Sequence, residues 1–127
     1  MAYRLQIQHF QGYVRIQADG ERHADNVAEN ALQFWHDLVD VCNGKDSAKV
    51  LVVSNVQGKY PAEDALWVNS RLEALGVDRR WKIAFVNFDM ESQEDVKFAE
   101  TINLNRGFWI KVFPDEQTAI AWLDIGN

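Results

Sequence analysis

Apolar and polar side chains alternate along the first part of the chain. Tyr3, Leu5 and Ile7 fall on one side of an extended segment, and the residues between them are polar. This period of two is typical of a β-strand with one hydrated face. A second alternating run follows the turn at Gly12 and ends near Gly20, so the two runs are predicted to form an antiparallel hairpin.

Four later segments show apolar residues every three or four positions, the spacing that is typical of helices. The clearest helix is predicted from about Asn26 to Cys42, with Asn26 and Glu29 as a capping pair and Gly44 as its end. The other three are predicted from Pro61 to Leu75, from a Ser92–Asp95 capping box to Gly107, and from Pro114 through Leu123.

Each predicted helix carries an apolar stripe that is expected to face the core. The stripe of the second helix comprises Ala65, Val68, Leu72 and Leu75, and that of the third comprises Phe98, Ala99 and Ile102. Three of the five tryptophans are expected in or beside the core, namely Trp35, Trp109 and Trp122. No position is assigned to Trp81.

Three apolar runs without polar breaks separate the predicted helices and are typical of buried strands. These runs are Val50–Val53, Ile83–Val86 and Phe108–Phe113. Strands that alternate with helices require crossover connections, which favour a largely parallel sheet. The predicted fold is therefore α/β: a single domain over residues 1–127 with a mixed, mostly parallel five-stranded sheet, an N-terminal antiparallel hairpin and about four helices.

Composition and charge indicate a globular protein that is not expected to bind nucleic acid. Hydrophobic residues make up 47% of the chain and charged residues 25%, a balance typical of globular proteins. The formal net charge of -6 repels phosphate backbones, so nucleic acid is not an expected partner. The basic cluster Arg79–Lys82 is interpreted as a hydrated approach to a strand, because binding footprints normally extend over a whole face.

Cysteine and histidine usage gives no catalytic or metal motif. Cys42 is the only cysteine and lies on the apolar stripe of the first helix, so it is interpreted as a buried structural thiol in a reducing, cytoplasmic protein. The three histidines, His9, His23 and His36, lack the spacing that places two imidazoles on one helical face. We therefore expect no metal and no cofactor. The chain also lacks a signal-peptide pattern and any run of 18 apolar residues, so no transmembrane segment is predicted.

The closing segment of the chain carries a family resemblance. Asn105-Arg106-Gly107 leads into a strand that ends at Phe113, and Asp115 then precedes the segment Ala119–Leu123. Together with the order of elements, this segment resembles the SpoIIAA-like branch of the STAS superfamily. The resemblance implies a mixed sheet with packed helices and a role in binding a protein partner, a nucleotide or a hydrophobic ligand, without turnover of a substrate.

One family motif is missing from the chain. Antagonist members of the family carry a phosphorylatable serine at the start of the second helix, whereas this chain has the stretch Ser54–Asp64 there. Ser54 falls at the end of the predicted strand and does not match that serine. The antagonist phosphorylation switch therefore does not carry over to this sequence, although the same loop is a candidate binding surface.

Two loops supply the predicted ligand-binding residues. Open α/β sheets bind ligands beyond the carboxyl ends of their parallel strands, where the loops that follow Val50–Val53 and Ile83–Val86 are expected to meet. These loops offer amide, ammonium, phenol and carboxylate groups. The predicted ligand-binding residues are Asn55, Gln57, Lys59, Tyr60, Asn87 and Asp89.

A second candidate surface lies on the second predicted helix. Leu66 and Trp67 point about 100° or more away from the stripe that contains Ala65 and Val68. With Tyr60 just before the helix, they are predicted to form an interface. The alternative is that the stripe is misphased or that the N-terminal segment covers these side chains.

These features support three hypotheses about function. The leading one is a non-enzymatic regulatory module that binds an unidentified protein or a second copy through Tyr60, Leu66 and Trp67. The alternative is a carrier or sensor of a small apolar ligand, such as a lipid or a nucleotide. An enzyme built from Asp89, Lys59 and Tyr60 comes third, because no nucleophile, base and orienting group are expected to converge.

Overall fold

A computed structural model describes residues 3–43 and 48–125 of the chain. The strands are β1 (Arg4–Phe10), β2 (Tyr13–Glu21), β3 (Lys49–Gln57), β4 (Lys82–Asn87) and β5 (Trp109–Phe113). The helices are α1 (Val27–Cys42), α2 (Ala62–Asn69), α3 (Leu72–Leu75), α4 (Gln93–Asn105) and α5 (Glu116–Leu123), with a 3₁₀ turn at Met90–Ser92. The predicted α/β fold class is confirmed. The predicted end of the first helix at Gly44 lies outside the described residues.

The five strands form one mixed sheet in the order β1-β2-β3-β4-β5. The hairpin β1–β2 is antiparallel, with Ile7 opposite Ile16, and the other three pairs are parallel. Strand order follows chain order, so the right-handed crossovers from β2 to β5 all place their helices on the same face of the sheet. Helices α1 to α4 cover this face, and α5 covers the other.

The larger core lies between the sheet and α1 to α4. Alternate strand residues such as Ile16, Val52 and Ile83 are fully buried on this face. They pack against Leu38 and Trp35 of α1, which are also buried. The apolar side chains that recur every two residues in the strands and every 3.6 residues in α1 thus form one buried layer.

The smaller core lies under α5. It contains buried residues of β3 and β4 together with Ala119 and Leu123 of α5. Asp115 caps this helix by accepting a 2.8 Å hydrogen bond from the backbone N–H of Thr118, and this bond lowers the pKa of the Asp115 carboxyl. Because α5 has only eight residues, it covers β3, β4 and the end of β5 at Phe113, whose ring lies 5.3 Å from that of Trp122, and leaves the start of β5 open.

The second predicted helix is interrupted. It divides into α2 and α3 at Ser70, whose hydroxyl donates a 2.8 Å hydrogen bond to the backbone oxygen of Trp67. Such side-chain bonds compete with the helical backbone pattern. The stripe of Ala65, Val68 and Leu72 is nevertheless fully buried, as predicted.

Two predicted helix caps are wrong. Asn26 precedes α1 but makes no side-chain capping bond. Ser92 makes none either, because its hydroxyl accepts a hydrogen bond from the side chain of Asn87. Asp95 accepts a bond from the backbone N–H of Tyr60 instead of closing the predicted capping box. Tertiary contacts therefore use groups that the local pattern assigned to helix ends.

Some aromatic positions also differ from the prediction. Trp35 is buried as expected and Trp122 is half-buried, but Trp109 is 55% exposed because it lies on the edge strand β5, on the face that α5 leaves open. Trp81 is buried. Phe98 is 42% exposed, since the inward stripe of α4 passes about 100° away from it.

Within residues 3–43 and 48–125, no helix is both long enough and apolar enough to cross a membrane.

Replacing Leu38 by alanine is expected to lower the free energy of unfolding by about 2–5 kcal/mol, because the side chain is fully buried between α1 and the sheet. The matched change Leu66→Ala on α2 should cost less than about 0.5 kcal/mol, since Leu66 is 51% exposed. Urea unfolding of both variants measures the difference. Equal losses would contradict the placement of the core.

Candidate functional site

A cavity of about 80 Å³ lies between the helical face of the sheet and helices α1, α2 and α4. Its apolar walls include the rings of Phe34, Trp35 and Phe85. The Phe34 and Trp35 rings meet edge to face at 5.6 Å, and both rings contact Phe85, at 6.1 and 5.7 Å. The aromatic residues therefore form a fixed wall in the middle of the cavity.

Arg22 lies at one end of the cavity, directly after β2. Its side chain is only 8% exposed. Its Nη1 atom donates hydrogen bonds to the backbone oxygens of Val56 (3.1 Å) and Gly58 (2.8 Å). The guanidinium carbon lies 5.1 Å from the centre of the Tyr60 ring, which is a cation–π distance. Arg22 thus joins the end of β2 to the loop between β3 and α2.

Two carboxylates hold the same loop from the other side. Asp89 accepts a 3.2 Å hydrogen bond from the backbone N–H of Gly58, and Asp95 accepts a 2.9 Å bond from that of Tyr60. Gly58 has a φ of 105°, and an added Cβ would lie 3.1 Å from the backbone oxygen of Arg22. Glycine is therefore required at this point for both conformation and close approach.

Two tyrosines border the cavity near Arg22. Burial raises the pKa of the Tyr60 phenol far above its ordinary value, and the nearby phenol of Tyr3 adds to this increase. Burial likewise raises the pKa of Tyr3, whereas the positive charge of Arg22 opposes the increase. Both phenols are therefore neutral hydrogen-bonding groups at pH 7.

Polar groups of the cavity differ in how well they are paired. Asn87 donates to the backbone oxygen of Asp89 and to the Ser92 hydroxyl, both at 3.2 Å. In contrast, the Tyr3 hydroxyl and the side-chain oxygen of Asn103 are buried without a hydrogen-bond partner among the described residues. Asn103 is 2% exposed. Buried polar groups are normally paired, so these atoms indicate a place for a missing polar group.

Comparison with proteins of known structure identifies the fold of this chain. No protein-family profile matches the chain, and no curated protein matches it significantly. One solved structure that matches is an uncharacterized protein of the DUF3478 family from Shewanella loihica PV-4, described as having a SpoIIAA-like fold. It shares 17% sequence identity with this chain at a TM-score of 0.53, and the match covers 96% of this chain and 94% of that chain. The chain has a SpoIIAA-like fold. The resemblance seen in the closing segment is confirmed at this level.

The SpoIIAA-like fold divides the predicted ligand-binding residues into separate groups. Tyr60 and Asn87 border the cavity. Asn55 and Gln57 line a separate polar pocket of about 410 Å³ formed with the end of β2, because alternate residues of β3 point away from the buried Val56.

The two predicted loops do meet, through the bond between Asp89 and Gly58. Lys59 is exposed and does not border the cavity. The sequence therefore predicted the contact between the two loops. Of the six predicted ligand-binding residues, only Tyr60 and Asn87 border the cavity.

The predicted interface residues differ in exposure. Tyr60 is 8% exposed, so the expectation that it anchors a partner needs correction: its ring packs under Arg22 and borders the cavity. Leu66 and Trp67 are 51% and 42% exposed. The guanidinium carbon of Arg71 lies 3.8 Å from the centre of the Trp67 ring and covers one of its faces.

Sequence reasoning missed Tyr3, Arg22 and Asn103. The prediction ended the second strand near Gly20, whereas β2 continues to Glu21 and runs parallel to β3. The rule that ligands bind beyond the carboxyl ends of parallel strands would have included Arg22 if this strand had been recognised as parallel. Asn103 was detectable only as a polar residue four positions after Ala99.

One surface cluster has the composition of a metal site. The ligand atoms of His36, Asp37 and Asp40 lie within 4.8 Å of one another on α1. His36 and Asp40 are exposed, and the histidine nitrogen lies 3.6 Å and 3.7 Å from the two carboxylates. Such groupings are common on helix surfaces, and no other feature of this cluster points to a bound ion.

The unfolding free energy is expected to fall as the pH rises above about 10, the ordinary pKa of tyrosine. The raised pKa of Tyr60 in the folded chain means that the folded state favours the neutral phenol. The stability that the neutral Tyr60 phenol contributes is fully present below the tyrosine pKa of the unfolded chain. It is lost as the pH rises from that value towards the higher pKa of the folded chain. Tyr60→Phe should show a smaller decrease in unfolding free energy between about pH 8 and pH 10.5, as measured by urea unfolding. The control Tyr13→Phe removes a half-buried tyrosine and should show a larger decrease than Tyr60→Phe. An unchanged pH dependence in Tyr60→Phe would contradict this assignment.

Proposed function

We propose that this SpoIIAA-like chain is a non-catalytic binding module that holds a small, largely apolar ligand in the cavity between the sheet and α1, α2 and α4. The observation that carries the proposal is an aromatic cavity that also contains two unpaired polar atoms. Its volume of about 80 Å³ is roughly half that of the ~150 Å³ apolar cavity known to bind benzene. The ligand is therefore small, or it displaces α2 when it binds.

The position of the cavity supports a binding role. Ser54 and Asn87, at the carboxyl ends of β3 and β4, both border it. Ligands of open α/β sheets bind at this edge, and a typical site combines apolar walls with a few directed polar groups. Helix α2 packs mainly against α1 and α4, so it covers the carboxyl ends of β3 and β4.

The chemistry of the cavity supports binding without catalysis. Within residues 3–43 and 48–125, the residues that border it include no histidine and no cysteine. Its serine, Ser54, accepts a 3.4 Å hydrogen bond from the backbone N–H of Val56 and has no adjacent imidazole to act as a base. Within the described residues, the cavity thus offers hydrogen bonds and apolar contact, which are the requirements for a carrier or sensor.

Filling the cavity is expected to abolish binding. Ala99→Leu adds apolar volume at a residue that borders the cavity, whereas Ala121→Leu adds the same group to the exposed surface of α5. In ¹H–¹⁵N NMR titrations with 1-butanol, the unmodified chain and Ala121→Leu should show saturable shifts at cavity residues. Ala99→Leu should weaken binding at least about tenfold, equivalent to ~1.4 kcal/mol.

Native mass spectrometry of the purified chain gives an independent measurement, and a retained small molecule should be lost from Ala99→Leu. The absence of saturable shifts in the unmodified chain, or equal binding by Ala99→Leu, would contradict a ligand cavity.

The second candidate function is self-association through α2. It is supported by the exposed side chains of Leu66 and Trp67, which lie side by side in sequence on the helix that roofs the cavity. Large exposed apolar side chains are typical of interfaces. This surface excludes Tyr60, which is buried.

Leu66→Ser combined with Trp67→Ser should shift any dimer of the chain to monomer in sedimentation velocity experiments. The control is Phe10→Ser, which removes an apolar side chain of similar exposure, 45%, from the hairpin. A monomeric unmodified chain, or a dimer unaffected by the double substitution, would exclude this interface.

A further inference from the structure

The buried guanidinium of Arg22 forms a long ion pair with Asp89 and leaves part of its donor capacity unused. A guanidinium carries five N–H donors, and the hydrogen bonds at 2.8 and 3.1 Å from this side chain to backbone oxygens are both made by Nη1. The nearest carboxylate oxygen is that of Asp89, at 3.9 Å, and it already accepts the N–H of Gly58. Charges buried to this extent are normally paired at hydrogen-bond distance.

A second donor lies beside the Arg22 guanidinium. The Tyr3 hydroxyl is buried, borders the same cavity and has no hydrogen-bond partner among the described residues. It lies close enough to Arg22 for the positive charge to affect its pKa. The cavity is therefore bordered by a cation with spare N–H donors and by a neutral phenol whose O–H group has no hydrogen-bond partner within the geometric limits among the described residues.

The missing acceptor has the properties of a carboxylate. A carboxylate matches the planar fork of a guanidinium with two oxygens and leaves a lone pair for a neighbouring hydroxyl. A phosphate dianion fits less well, because Arg22 is the single basic side chain among the described residues that border the cavity, while Glu100 borders it too and Asp89 lies near Arg22. The charges around the cavity thus favour a monoanion.

The rest of the cavity suits a short apolar body. Phe34, Trp35 and Phe85 border the cavity as an aromatic wall, and Asn103 of α4 borders it with a side-chain oxygen that has no hydrogen-bond partner among the described residues. We infer that the cavity binds a small monocarboxylate, with the carboxylate on Arg22 and Tyr3 and the apolar body against the aromatic wall. This inference rests on the proposed function and specifies its ligand class.

Three probes of equal length test the inference: pentanoate, 1-pentanol and pentylamine, titrated into the full chain at pH 7 and followed by ¹H–¹⁵N NMR. Pentanoate is expected to bind at least about tenfold more tightly than 1-pentanol, since hydrogen bonds to a charged group contribute about 1.5–3 kcal/mol. Pentylamine should bind more weakly than both, because Arg22 repels it.

Variants assign the effect to the two donors. Tyr3→Phe should weaken pentanoate binding about tenfold and leave 1-pentanol binding unchanged. Arg22→Lys, which retains the charge but lacks the bidentate fork, should also weaken pentanoate binding selectively. Since Arg22 also holds the loop at Gly58, thermal unfolding checks that this variant folds, and Tyr3→Phe tests the proposal without touching the loop. Tyr13→Phe on the opposite face is the control.

The outcomes separate the two proposals. Equal binding of pentanoate and 1-pentanol, unaffected by Tyr3→Phe, would overturn the carboxylate assignment and leave the apolar cavity as the binding site. Competition by inorganic phosphate as strong as that by pentanoate would also overturn the assignment to a monocarboxylate. Binding of none of the probes would exclude the ligand-binding function itself.

Discussion

The buried guanidinium of Arg22 connects the parts of the structure on which the cavity depends. Its two bonds to the backbone oxygens of Val56 and Gly58 join the end of β2 to the loop after β3. Asp89 and Asp95 bind the N–H groups of the same loop from the side of α4. The loop is thus bonded from both sides. Because α2 begins directly after this loop, the same bonds position the start of α2 relative to the sheet. A buried charge in this position is costly unless it is paired, and Arg22 is paired with the backbone oxygens of this loop and with Asp89.

The cavity exists because α2 packs on its neighbouring helices more than on the strands. Ala65, Val68 and Leu72 are fully buried among the helices and the core. The space left between α2 and the sheet is bordered by aromatic rings that are too large to collapse into it. Polar groups from β2 and α4 face this space, so it combines apolar walls with directed hydrogen-bonding groups. This combination is what a selective site for a small amphiphile requires.

The fold was more predictable than the site. The order and type of the elements, the hairpin and the parallel runs followed from periods of two and of 3.6 in the sequence, and the SpoIIAA-like resemblance in the closing segment agreed with them. Predictions based on single side chains were less accurate. Asn26 and Ser92 make no capping bonds, and Tyr60 is buried instead of exposed. Tyr60 is held by contacts from distant segments, and the Ser92 hydroxyl accepts a bond from Asn87 at the end of β4. Neither contact can be recognised from the local pattern.

The sequence by itself determined which faces of the helices and strands are apolar, and hence how the layers stack, because that information resides in neighbouring residues. Only the tertiary structure decided that Tyr3, Arg22 and Asn103 border one cavity and that Asn55 and Gln57 do not. Arg22 and Asn103 come from segments about eighty residues apart, and they border the same space only after four strands have been placed in register. Local periodicity carries no information on such a contact, since it depends on strand order, crossover direction and the height of one helix above the sheet.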